Sequence, residues 1–275
     1  MPTTQITNEE LSSLTSAILR RYGVDFTCYE TTSLKRRVDR CISVLKLETV
    51  HNLWVKLLKD QLFVHRFMDE ISVGLTAMFR DPILWKTLKA DILPQLATNK
   101  KISIWHAGCS SGEEVYTMGV VLQESNLIAN SKATATDISD AALAKAQQGK
   151  YHHMKLTDYE KNYREYNPQG SLEKYYQQSG ADRVMDSQLV QHVDFRHHNL
   201  ISEPPPGRFD IIFCRNVMIY FDNQAKINLL QRFHEHLNDS GYLIIGFYDA
   251  LVPLIDKSMY HFVNLDAKIF QKIGS

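Results

Sequence analysis

Cysteine is scarce and its spacing is uninformative. Cys28, Cys41, Cys109 and Cys214 form no C-x-x-C step, which excludes zinc-ribbon and dithiol redox motifs and predicts free thiols in a reducing compartment. No metal site is expected. No apolar run approaches the ~18–20 residues that a membrane span requires, and the start, MPTTQITNEELSSL, lacks the charged-then-apolar build of a secretion signal. We therefore expect a cytoplasmic protein without membrane insertion. Excess charge of either sign is missing too. Lys+Arg and Asp+Glu both total 31, so no global field points to nucleic acid, and recognition by charge must be local.

What is present divides into two textures. From Asn8 to about Leu93 the apolar spacing is helical and turn residues are few. TNEELSSLTSAILRRYG opens on an N-cap threonine, Thr7, and closes at Gly23. SLKRRVDRCISVLKL, TVHNLWVKLLKD and LFVHRFMDEIS predict further helices, and residues 1–93 read as a small helical domain. After the polar ATNKK, short apolar runs alternate with amphipathic stretches. KISIWHAG, KATATDI, FDIIFCRNV and GYLIIGF predict strands, GEEVYTMGVVLQES, SDAALAKAQQG and NQAKINLLQRFHEHL predict helices, and MYHFVNLDAKIFQKI predicts two closing strands. This alternation over 94–275 implies a doubly wound α/β sheet. A hairpin is expected as an insertion at about 171–198, around the turn SGAD.

The turn after the first strand carries the chemistry. A dinucleotide fingerprint would be G-x-G-x-x-G; here Ser110 holds the place of the second glycine, and Gly112 falls one position early. Glu113 and Glu114 occupy the first helical turn, where free N–H groups otherwise attract phosphate. Acid there repels a pyrophosphate and welcomes an ammonium. S-adenosylmethionine has adenosine, an α-ammonium and a carboxylate but no phosphate, and it fits. Asp137, ending TATD, suits the ribose diol. Arg215–Asn216 follow a buried strand at its carboxyl end, where ligands sit in open α/β sheets. Tyr220 and Phe221 read as core aromatics. The histidine pairs in YHHM and RHHN point to opposite strand faces, His106 reads as packing, and none is given a catalytic role.

Together LKRRVDR, TAMFRDP, IWHAGCSSGEEVYTMG, ATDISDAALAKAQQGKY, FRHHNL, FDIIFCRNVMIYFD and GYLIIG resemble the chemotaxis receptor methyltransferase (CheR) family, in order and across both domains. The resemblance implies a Rossmann-like class I methyltransferase sheet with a small inserted antiparallel β-subdomain, preceded by an all-α receptor-recognition domain. It also implies methyl transfer from S-adenosylmethionine, leaving S-adenosylhomocysteine, to glutamates on the cytoplasmic helices of a chemoreceptor, by a protein expected to be monomeric. Cofactor contacts implied are Thr76, Arg80, Ala107, Gly108, Glu114, Asp137, Ile138, Asn199, Leu200, Arg215, Asn216 and Val217. Arg80 is the expected catalytic residue, its guanidinium matched to a carboxylate, with a salt bridge to Asp81 as the competing role.

A glutamate acceptor, with a pKa of roughly 4.3, needs no general base. On the second helix Leu34, Val38, Cys41, Ile42 and Leu45 form an apolar stripe. Arg36, Arg37 and Arg40 are read on the other side, a cluster usual for solvated surface, and the resemblance implies that it meets an acidic receptor helix. Two departures stand out: Gly74, where many relatives have asparagine, and GFYDA, where relatives often carry Gly-x-Ser-Glu. Rival readings are a methyltransferase for another protein or an RNA, and a non-catalytic S-adenosylmethionine sensor, which Gly74 slightly favours.

Overall fold

A computed structural model describes residues 5–71, 76–97, 101–249 and 251–274; Gly74 and Ala250 lie outside them. The first four helices are α1 (Asn8–Tyr22), α2 (Thr31–Val44), α3 (Val50–Lys59) and α4 (Gln61–Ile71). Thr7 and Glu10 close a reciprocal capping box at the start of α1, and Gly23 ends it at φ 70°, a conformation that costs glycine nothing. Glu30 caps α2 by accepting from the N–H groups of Thr32 and Ser33. The apolar stripes of these helices meet in one core built on Leu14, Ile18, Cys41, Leu53, Leu57 and Phe67.

Next come α5 (Pro82–Thr87), a π-helical turn at Leu88–Ile92 and α6 (Leu93–Leu96). Their side chains Leu84, Trp85, Leu88 and Leu93 join Met78 and Phe79 in the core of the sheet, not of the bundle. By packing, we place the domain junction ahead of Thr76, earlier than the expected boundary at 93.

The sheet is assembled from β1 (Ile102–Ala107), β2 (Ser131–Asp137), β6 (Val193–His197), β7 (Phe209–Cys214), β8 (Leu237–Ile245), β9 (Tyr260–Asn264) and β10 (Ile269–Lys272), in the order β6-β2-β1-β7-β8-β10-β9. Strands β6 to β8 in that order pair in parallel, and β10 pairs antiparallel with both β8 and β9. The antiparallel pair at one edge is as expected. Side chains alternate between faces. Ile104, Ile211, Phe213 and Ile244 pack on one side, while Trp105, Ile212, Cys214 and Leu243 pack on the other, the period of two that a strand imposes.

Helices α7 (Glu113–Glu124), α8 (Asp140–Gln148), α9 (His153–Tyr166) and α10 (Asn223–His236) cover the sheet. A second sheet, β3-β5-β4, joins β3 (Lys150–His152) to β5 (Asp182–Met185) and β4 (Tyr176–Ser179), all antiparallel. The inserted subdomain thus draws one strand from before α9, and Val193–His197, expected inside the insertion, instead extends the main sheet beside β2.

Bundle and sheet are stitched together at one seam. Tyr29 and Phe221 form an isolated antiparallel bridge. The Glu30 N–H donates to the Tyr220 carbonyl at 2.9 Å, and the Asp222 N–H donates to that of Cys28 at 2.9 Å. Ser139, at the start of α8, donates its hydroxyl to Asp69 of α4.

Candidate functional site

A cavity of about 290 Å³ opens where β1 and β7 lie side by side with their crossovers leaving in opposite directions, and it reaches to the bundle. Of the expected cofactor residues, all but Ala107 line it; Ala107 is buried in the core beneath. Tyr29 and Asp69 of the bundle, Lys145, His198, Tyr220 and Phe221 are also part of the wall. Residues from six segments far apart in the chain are therefore brought to one place.

Backbone strain gathers here. Phe79, Asp81, Ser110 and Asn216 all adopt positive φ, between 50° and 57°, a conformation that costs non-glycine residues on the order of 1 kcal/mol each. Rigid surroundings hold them. Phe79 is fully buried and packs on Tyr163 and Tyr166 at ring distances of 4.9 and 5.0 Å. Gly108 has φ 82°, and a Cβ there would sit 2.4 Å from a Val217 methyl, so only glycine lets β1 and the segment after β7 approach so closely.

The two glutamates of α7 part company. Glu113 is fully buried and faces away from the cavity. It accepts from Tyr159 at 2.9 Å, from Ser111 Oγ at 2.7 Å and from Lys155 at 3.3 Å, tying α7 to α9. Only Glu114 lines the cavity, so the expectation that both acids face the ligand is corrected: consecutive helical residues point about 100° apart. Glu114 Oε1 lies 2.9 Å from His106 Nδ1, and Oε2 accepts from Arg215 at 3.0 Å. Burial would raise the Glu114 pKa, but the His106 hydrogen bond and the Arg215 charge outweigh it and hold it below the usual carboxylate value. His106 in turn stacks on Phe213 at 4.7 Å, which makes it a positioner of Glu114.

Arg215 is the hub of the site, with its side chain 4% exposed. It donates to Glu114, to Asp81 at 2.6 Å and to the Arg80 carbonyl at 3.2 Å. Asp81, weighed above as a partner for Arg80, is committed to Arg215. Asp137 accepts from the N–H groups of Ser110 at 2.8 Å and Ser139 at 3.0 Å. Burial pushes its pKa up against those hydrogen bonds. Ser139, not Asp137, caps α8.

Asp249 was legible only as part of a departure, GFYDA. It is fully buried and accepts from the backbone N–H groups of Asn216, Gly246 and Ile219 at 2.8, 2.7 and 3.2 Å, fixing the turn that presents Arg215 and Asn216. Burial raises its pKa from 3.8 to about 6, opposed by those same N–H groups.

Three buried polar atoms on this wall have no partner among the described residues: Arg215 Nε, Asn216 Oδ1 and His198 Nδ1. Buried polar atoms are rarely left so. A ligand with donors and acceptors at both ends answers them, and S-adenosylmethionine fits. Its ammonium suits Glu114, its carboxylate Arg215, and its ribose hydroxyls Asp137. A pyrophosphate would meet the carboxylates of Glu114 and Asp137.

The arginines of α2 separate. Arg36 and Arg40 are exposed, as expected for a recognition surface. Arg37 is buried, donating to the Ile71 carbonyl and stacking on Tyr220, so it cannot belong to that surface. Among the described residues no cluster suited to a metal ion is found, and no helix is long and apolar enough to cross a membrane.

Two family models account for nearly the whole chain. That of the CheR methyltransferase all-alpha domain matches residues 9–72, and that of the CheR methyltransferase SAM binding domain matches residues 74–269. The chain is 33% identical to Cher3 of Pseudomonas putida, covering 87% of this chain and 88% of that one. It is 31% identical to a chemotaxis protein methyltransferase of Borreliella burgdorferi, covering 90% and 89%. With the chemotaxis protein methyltransferase of Listeria innocua it shares 30% identity, covering 84% and 86%.

Proposed function

The chain belongs to the CheR methyltransferase family, and we propose that its reaction is methyl ester formation on glutamate side chains of chemoreceptor cytoplasmic helices. It is an S-adenosylmethionine-dependent methyltransferase of chemotaxis. The acceptor reading rests chiefly on one observation: the cavity is lined from both sheet and bundle, and Arg80, Arg215 and Glu114 are all among its lining residues.

When bound, the cofactor supplies a methyl group on a cationic sulfur. This chain's residues do the rest by holding and orienting. Glu114, kept ionised, takes the amino group, and Arg215 takes the carboxylate end. Asp137 fixes the ribose. Arg80 orients an incoming carboxylate, which is already ionised near neutral pH and needs no base. Such orientation can supply ~7–11 kcal/mol of a barrier in favourable cases. Too firm a pairing would stabilise the ground state instead, so Arg80 directs the acceptor without burying it. Arg36 and Arg40 on α2 offer local positive charge on a neutral protein, matched to an acidic receptor helix.

Incubation with a receptor cytoplasmic fragment and a labelled methyl donor tests this reading. Label released by mild alkali is expected, because carboxyl methyl esters hydrolyse there. Alkali-stable label would move the acceptor to nitrogen. Absence of transfer by protein that still binds the cofactor would favour a sensor.

A further inference from the structure

Arg37 has no part in the chemistry above, yet it sits behind the cavity wall. Its side chain comes from α2 and is buried, with the residue 8% exposed. A buried cation is costly unless partnered. Arg37 has three partners of an unusual kind. Its Nη1 donates to the carbonyl of Ile71, at the end of α4, and its Nε donates to Ser33 Oγ at 3.4 Å. The guanidinium carbon lies 4.0 Å from the centre of the Tyr220 ring, inside the ~6 Å reach of a cation–π contact. Ser33 lies one turn earlier on α2, while Ile71 and Tyr220 belong to two other segments.

Both of those segments reach the cavity, one through Asp69 of α4 and the other through Tyr220 itself. Tyr220 and Phe221 line it with Tyr29, whose ring meets that of Phe221 edge-on at 5.1 Å. Tyr29 precedes Glu30, the residue whose N–H holds the Tyr220 carbonyl. Ile71 closes α4 a few residues ahead of the cavity residue Thr76. We infer that Arg37 is a positioning residue, whose planar guanidinium clamps the aromatic wall Tyr29–Tyr220–Phe221 against the bound cofactor. A fork with a flat face can do both at once: hydrogen-bond a helix end and stack on a ring.

The consequence is kinetic. Slackening the wall should speed escape of the ligand and leave its entry nearly untouched. A purely structural role would lower the folded fraction but not alter dissociation from protein that remains folded. The test is displacement of radiolabelled S-adenosylhomocysteine, with no acceptor present, so it rests on the cofactor alone and stands apart from the receptor assignment.

Arg37→Met should raise the dissociation rate about tenfold with association within about twofold. Tyr220→Leu should do the same, and the double variant should be no faster than the faster single one. Arg37→Lys, which keeps the charge but loses the fork and the flat face, should release the ligand faster than the unaltered protein and more slowly than Arg37→Met. If Arg37→Met does not fold, Arg37→Lys carries the reading. Unchanged dissociation in a folded variant, or rate effects that multiply in the double variant, would overturn it.

Discussion

Arg215 Nη1 donates to Glu114 Oε2 at 3.0 Å, joining the end of β7 to the first turn of α7 across the cavity floor. Breaking a buried charge pair from one side leaves the other charge stranded, at a cost of about 3–5 kcal/mol. Asp81, the second partner, is 36% exposed, so solvent softens its share. Arg215→Ala should lower stability by about 3 kcal/mol in urea unfolding and weaken S-adenosylhomocysteine by at least about tenfold in calorimetry.

Arg80 stands on the cavity wall between two residues of positive φ, Phe79 and Asp81. Arg80→Ala should cut turnover about 100-fold or more, with thermal melting little changed. Normal turnover in the folded variant would take Arg80 out of the mechanism.

Asp249 makes stability depend on pH, with a definite sign. Its folded pKa of about 6 lies above the ordinary 3.8, so the folded state binds the extra proton between those values. Its contribution is complete below about pH 4 and lost as pH rises through about 6. Asp249→Asn should remove that component. The stability difference between the two proteins, from urea unfolding at pH 4 to 7, should change by roughly 3 kcal/mol at most. A pH-independent difference would show that Asp249 does not titrate in this window.

On α2, Arg36→Glu with Arg40→Glu should abolish methylation of a receptor fragment while S-adenosylhomocysteine affinity stays within about twofold. Arg37 is left intact in this test because it faces inward. Loss of cofactor binding with intact receptor affinity would reverse the proposed roles of the two domains.

The strands of the central sheet were legible because FDIIFC and ISIWHA are apolar on both faces, as strands covered on both sides must be. Glu113 and Glu114 were not separable by charge, since both favour a helix start; the direction each side chain takes decides, and partners on α9 set it. Arg37 carries a signal in its spacing. It lies three residues after Leu34 and four before Cys41, on the same face of the helix, and its charge hid its place in the apolar stripe. In sequence the strand Val193–His197 resembles the insertion that precedes it, and only its pairing with β2 distinguishes it. Asp249 could not be read at all as a hub, because its three partners are backbone groups, and backbone leaves no mark in a sequence.

Cofactor recognition as proposed turns on Glu114 meeting the amino group, and a two-ligand titration tests this most directly. S-adenosylhomocysteine carries that amino group and methylthioadenosine does not. In Glu114→Gln the first should bind about 30-fold more weakly, roughly 2 kcal/mol, and the second within about twofold of its affinity for the unaltered protein. Equal weakening of both ligands, or of neither, would contradict it.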